Sequence, residues 1–191
     1  EGDKDRTRQI QDMAGEGVFV KEVQIAVLEG RADIAVHSAK DLRSRPTNGL
    51  NLVGFLERGD PRDALIGVAL DQVPKGGVIA TGSARRRVQL VNLRPDLKFV
   101  GLRGNIKTRI EIAQGNDVDA VVVAKAALDR LGISELADQV FESDQMVPQV
   151  GQGAIAVECR SDEHETIGLI SQIVDELTGI CVTAERSYLA E

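Results

Sequence analysis

Tryptophan is absent and aromatic residues make up only 3% of the 191 residues. A core must therefore be assembled from Val, Ile, Leu and Ala, the composition of buried strands in α/β proteins rather than of aromatic-rich sandwiches. Cysteine is equally scarce. Cys159 and Cys181 are the only two, which excludes a disulfide framework and any C-x-x-C metal or redox spacing. No metal site is expected, and a reducing compartment, the cytoplasm, is. Uninterrupted apolar runs reach only about five residues, as in Ala120 to Ala124, far short of the roughly 20 that a membrane helix needs. No secretory signal pattern is visible, although the chain opens on EGDKD without Met.

What is present is a globular balance, 42% hydrophobic and 28% charged residues, with a net charge of −7 that is unevenly spread. Between Thr81 and Arg109 stand Arg85, Arg86, Arg87, Arg94, Lys98, Arg103, Lys107 and Arg109 against the single acid Asp96, a local charge of +7. The remainder is strongly acidic and repels nucleic acid and acidic membranes. A small acidic ligand fits this distribution; a polyanion does not. A nucleic-acid regulator has only the arginine cluster in its favour, with no aromatic platform or reader motif.

The pattern along the chain alternates strands and helices. Val18 to Glu29 reads as a helix with apolar residues at 20, 23, 27 and 28, stopped by Gly30. Strands are expected at 33–36, 50–56, 64–68, 78–80, 97–100, 119–123 and 155–158. Helices are expected from Ser83 to before Pro95, from an Asn105 cap to Gly115, and from Lys125 to Leu131 closed by Gly132. The stretch from Ser134 to Gln145 is polar. Residues 163–191 read as helical with an interruption at Thr178 and Gly179. This alternation predicts an α/β fold with mostly parallel sheets. The polar segment ERGDPR (57 to 62) marks a crossover between two lobes. The expected division is 1–56 with 153–171 as one domain and 59–147 as the second.

Three places carry chemistry. The turn before Ser83 joins a strand to a helix whose free N–H groups, with Arg85 and Arg86, form an anion site. The turn at Leu102 to Asn105 repeats the design with Arg103, Lys107 and Arg109. Cations in a first helical turn oppose the macrodipole, so their recurrence at two junctions points to a ligand supplying negative charge. Arg130, near a helix C-terminus, is equally explained by the dipole. In the first lobe, His37-Ser38-Ala39-Lys40-Asp41 puts a cation beside a carboxylate at the end of a strand, where ligands bind in open α/β sheets. With no third group beside His37 and Ser38, a hydrolase triad is not supported. Cys159 and Cys181 read as small apolar residues.

In order and spacing, GVFVKE (17 to 22), RADIAVHSAKDL (31 to 42), ERGDPRDAL (57 to 65), TGSARRRVQL (81 to 90), LRGNIKTR (102 to 109), ALDRLG (127 to 132), VGQGAIAVECR (150 to 160) and VTAER (182 to 186) resemble the porphobilinogen deaminase (hydroxymethylbilane synthase) family. The resemblance implies a transferase of tetrapyrrole biosynthesis that joins four porphobilinogens head to tail and releases ammonia. It implies two periplasmic-binding-protein-like lobes flanking an active cleft, and a third domain, of which 175–191 is the beginning, whose cysteine carries a dipyrromethane cofactor. It matches Asp41 to the catalytic aspartate, which stabilises the cation left when ammonia departs. It matches Lys40, Ser83, Arg85, Arg86, Arg103, Arg109 and Arg130 to groups that bind acetate and propionate side chains. The attachment cysteine is expected just beyond Glu191, and Cys181 is not assigned that role. Glu16 stands where many members of the family carry Lys, and Cys181 where some carry Arg. The implied partner is porphobilinogen alone, with no nucleic acid or membrane and a monomeric state. The alternative is a non-enzymatic two-lobed protein binding small carboxylates.

Overall fold

A computed structural model describes residues 18–190; Glu16 lies outside the described residues. The chain forms two compact units, Gly59–Gly153 and the described part of Glu1–Arg58 with Ala154–Glu191.

In the first unit, helix α1 (Val18–Leu28) precedes strand β1 (Ile34–Ser38), a 3-10 turn (Ala39–Asp41) and strand β2 (Leu50–Phe55). Strand β8 (Ile155–Arg160) lies between β1 and β2 and is antiparallel to both, pairing His37 with Ala156 and Phe55 with Ala156 across its two edges. Helices α5 (His164–Ile170) and α6 (Glu176–Ala190) complete the unit. Val20 and Val27 are buried on α1 while Val23 and Leu28 are exposed, so the inward face runs 20, 24, 27 rather than the expected 20, 23, 27, 28. Gln24 occupies that face because its amide serves a buried carboxylate, Glu158. Helix α6 runs unbroken through Thr178 and Gly179. The interruption expected there falls earlier, at 171–175, where Asp175 Oδ1 accepts from the Thr178 N–H at 2.7 Å and so caps the helix.

In the second unit, strand β3 (Asp63–Ile66) is followed by β4 (Val78–Ala80), helix α2 (Ala84–Leu93), β5 (Lys98–Val100), helix α3 (Ile106–Ala113), β6 (Ala120–Ala124), helix α4 (Lys125–Leu131) and a short edge strand β7 (Gln139–Val140). The sheet order is β5-β4-β6-β3-β7. Leu65, Ile79, Val122 and Phe141 pack on one face, and Ala64, Ile66, Val121 and Val123 on the other. This alternation in a strand buried at every position explains why β6 reads AVVVA without a polar residue.

The two-unit α/β class stands, but the sheets are not mostly parallel: the described strands of the first pair antiparallel and the second is mixed. Parallel pairing occurs for β4 with β5 and β4 with β6, the strands joined through α2 and α3. Strands β3, β7 and β8 pair antiparallel with their neighbours, although α4 precedes β7. Strand β7 falls in the stretch read as merely polar, because a two-residue edge strand has no periodicity to detect. Cys159 is buried as expected, but Cys181 is exposed on α6 and is no core residue.

Candidate active site

Within the second unit the strand β4–helix α2 and strand β5–helix α3 junctions lie side by side. The Thr81 N–H donates to the Val100 carbonyl at 3.0 Å, and Gly82 passes so close to Leu102 that an added Cβ would sit 2.7 Å from its carbonyl oxygen. Only glycine permits that approach. Ser83 caps α2 by accepting from the Arg86 N–H, and Asn105 caps α3 by accepting from the Thr108 N–H at 3.0 Å. Gly104 turns the second junction with φ +96, against Thr108. Between the junctions lies a half-open cavity of about 530 Å³ lined by Thr81, Gly82, Arg87, Phe99, Val100 and Arg103, among others. The Arg87 guanidinium stands 5.6 Å from the centre of the Phe99 ring, a cation–π contact.

The three consecutive arginines divide their labour differently from the expectation that Arg85 and Arg86 face a ligand. Arg86 is buried: its Nη2 and Nε donate to Asp63 Oδ1 at 2.7 and 3.0 Å and its Nη1 to the Val122 carbonyl at 2.9 Å. Burial pulls its pKa below the ordinary arginine value; Asp63 pulls it back up, and Arg85 and Arg109 add to the lowering. Arg85 Nη2 lies 2.7 Å from Asp63 Oδ2, close enough for an ion pair though not aligned as a hydrogen bond, and Nη1 donates to the Val147 carbonyl. Its buried Nε has no acceptor among the described residues. Asp63, fully buried at the head of β3, also accepts from Gln152 Nε2 at 2.9 Å. The position of an acid before the apolar run of ALI was the available signal for it, since a buried carboxylate demands partners.

Arg109 donates from Nε to the Gly104 carbonyl at 3.0 Å, and Arg103 is exposed on the cavity rim. The structure thus brings Arg85, Arg86, Arg103 and Arg109 to one pair of junctions, together with Arg87, which was not expected there. Arg94, in contrast, is bound to Asp96 and to the carbonyls of Leu70 and Val73. Arg130 stands apart from the junctions, donating to the Gly153 carbonyl at 2.6 Å beside Gly59.

Lys40 and Asp41 belong to the first unit, on the 3-10 turn that ends β1. Asp41 is exposed and Lys40 half-buried. The turn is anchored by Ala39, whose N–H donates to the Ala154 carbonyl at 3.0 Å. Just before it, His37 Nε2 lies 3.0 Å from Glu158 Oε2, both side chains almost fully buried, and Gln24 Nε2 donates to the same oxygen at 2.8 Å. Burial raises the Glu158 pKa, but the hydrogen bonds from His37 and Gln24, with the charges of His37 and Arg186, outweigh it and hold the carboxyl below its usual range. A depressed carboxylate pKa stabilises the fold above the unfolded value of about 4.3 and loses that contribution as pH falls through the folded value. Glu158→Gln should therefore flatten the acid limb of a urea-stability profile taken from pH 7 to pH 3. An acid limb as steep as that of the native protein would show that Glu158 contributes nothing to it.

The profile for "Porphobilinogen deaminase, dipyromethane cofactor binding domain" matches residues 1–168. The chain belongs to the porphobilinogen deaminase family. It is 40% identical over 192 aligned positions to a porphobilinogen deaminase of Nitrobacter hamburgensis and 42% identical to one of a Roseiflexus species. Each alignment covers 99% of this chain, but the chain spans only 61% and 63% of the length of these relatives. Among solved structures, a putative methionine-binding lipoprotein of Bacillus subtilis is 14% identical with TM-score 0.53, covering 83% of this chain and 76% of that one. A putative lipoprotein of Ruminococcus gnavus, also 14% identical, has TM-score 0.52 over 88% and 87%. These two likenesses concern the two-lobed fold alone. Membership of the family does not favour the non-enzymatic carboxylate binder.

The fit of a dipyrromethane, which carries acetate and propionate carboxylates, can be tested on the side chains. Arg85 holds a buried N–H without an acceptor, and Arg103 and Arg109 form no ion pair among the described residues. Guanidinium groups with donors to spare suit carboxylates of this kind.

Proposed function

We propose that the complete protein is a hydroxymethylbilane synthase, joining four porphobilinogens head to tail with loss of ammonia at each condensation. The observation that carries this reading is the pair of adjacent strand–helix junctions, where Arg85, Arg87, Arg103 and Arg109 gather at helix N-termini that disfavour cations. A ligand bearing several carboxylates resolves the conflict, and free helix N–H groups add to its binding. Bound dipyrromethane supplies the primer to which new pyrrole units are added. Arg85, Arg103 and Arg109 hold acetate and propionate groups, with Ser83 capping the helix that presents the first of them. Lys40 and Arg130 are assigned to acetate or propionate groups by the family resemblance. Arg86, enclosed by Asp63, contributes chiefly charge and the alignment of Arg85. Asp41 places its anion where positive charge develops on the porphobilinogen methylene as ammonia leaves.

The helix over 176–190 leads into a third, cofactor-carrying domain in this reading. The free thiols of Cys159 and Cys181 support a reducing compartment, the cytoplasm. Among the described residues no helix is long and apolar enough to cross a membrane. The acidic remainder of the chain supports the absence of nucleic-acid partners, and the protein acts as a monomer.

The test is substitution of Arg103 or Arg109 by Leu in the complete enzyme. Loss of a charge-assisted hydrogen bond costs roughly 1.5–3 kcal/mol, about ten- to a hundredfold in binding. Elongation should stall, with enzyme-bound intermediates accumulating, and Lys should restore only part of the loss because it lacks the planar fork. Unchanged turnover and an unchanged population of intermediates would make these arginines ordinary surface charges.

A further inference from the structure

We infer that Arg186, on helix α6, is a positioning residue for Asp41; this rests on Asp41 being the catalytic carboxylate. The residues that follow Asp41 have no strand to hold them until Leu50. Arg186 fills that gap. Its Nη1 donates to the Leu42 carbonyl at 3.5 Å, and its Nη2 donates to the Arg43 carbonyl and, at 3.4 Å, to the Ser44 carbonyl. One planar guanidinium thus gathers three consecutive main-chain oxygens directly after the turn, a task for which a single ammonium is geometrically unsuited.

Helix α6 is itself fixed where it does this. Val182, one turn before Arg186, is fully buried with Ala39, the residue that opens the Lys40–Asp41 turn, and with Phe55, Ala154 and Ala156. Glu185 forms a two-pronged pair with Arg58, Oε1 to Nη1 at 2.5 Å and Oε2 to Nη2 at 3.1 Å. The Thr178 hydroxyl accepts from the Arg58 N–H at 3.1 Å. On the other side of the turn, His37 is locked to Glu158, and the Glu158 charge also acts on Arg186. The Asp41 turn is therefore held from behind by His37 and Glu158 and from in front by Arg186. The apolar contact between Val182 and Ala39 lies beneath it. Asp41 itself makes no ion pair among the described residues, so its aim depends on this main-chain bracing rather than on a side-chain partner.

The experiment is a double-mutant cycle in the complete, cofactor-loaded enzyme, with Arg186→Met and Arg186→Lys each made in the native and the Asp41→Asn backgrounds. Thermal melts check folding, and Arg186→Lys carries the test alone if the Met variant does not fold. A misplaced catalytic group costs up to about 100-fold, so Arg186→Met should lower kcat by about 10- to 100-fold with KM for porphobilinogen within about threefold. Lys should recover part of the loss. In the Asp41→Asn background the same substitution should change kcat by less than about twofold, because a residue acting through Asp41 has nothing left to position. Equal losses in both backgrounds, or a rise in KM at unchanged kcat, would overturn the inference while leaving Asp41 catalytic. An Asp41→Asn enzyme as fast as the native one would instead overturn the reading on which it rests.

Discussion

Asp41→Asn in the complete enzyme should lower the single-turnover rate of porphobilinogen consumption by about 10²- to 10³-fold, the usual cost of losing one preorganised electrostatic partner. The substitution keeps the shape of the side chain and removes only its charge. Because Asp41 is exposed at the end of a turn anchored through Ala39 and Ala154, the fold does not depend on it, and melting temperature should be unaffected. Asp41→Glu retains the charge but moves it by a methylene, and should be faster than Asn. Turnover by the Asn variant within about threefold of native, far less than the electrostatic loss expected, would make Asp41 a bystander.

The largest effect on stability should come from Asp63→Asn. Asp63 is, among the described residues, the sole carboxylate in contact with both guanidiniums, Arg85 and Arg86, and its Oδ1 also receives Gln152. Neutralising it leaves Arg86 charged and enclosed, the situation in which breaking a buried pair costs about 3–5 kcal/mol. Chemical denaturation of the native and variant proteins measures this directly. Removing the stranded charge as well, in Asp63→Asn with Arg86→Met, should be less damaging than Asp63→Asn alone, since the cost lies in the unpaired cation. If Asp63→Asn lies within about 1 kcal/mol of native, the pair is not the buried anchor that the geometry describes.

Periodicity and punctuation made most elements readable in advance. The Asn105 cap, the Gly132 stop with φ +67 and the break before Pro95 are local signals that no distant contact overrode. The direction of strand pairing was not readable, because β3 and β8 take their orientation from partners many residues away and not from their own sequence. The site divides in the same manner. The placement of Ser83, Arg103 and Arg109 at strand–helix turns is legible from local pattern, because caps and turn glycines stand beside them. Which of Arg85, Arg86 and Arg87 faces inward was beyond pattern: it is decided by Asp63, 22 residues before Arg85. The brace on the Asp41 turn was hidden for the same reason, since Glu158 and Arg186 meet it only through the fold.

Strand β8 has a consequence for how the protein is made. Among the described residues, strands β1 and β2 share no ladder with each other; each pairs with β8, which follows β2 by about 100 residues. At a synthesis rate of roughly 5–20 residues per second, two strand edges wait on the order of 5–20 seconds for their common partner. The unit Gly59–Gly153 is contiguous and is made during that interval. Because β8 begins at Ile155, directly after that unit ends, the half carrying Asp41 keeps unpaired edges throughout the synthesis of the arginine-bearing half, a stage exposed to chaperones and to aggregation.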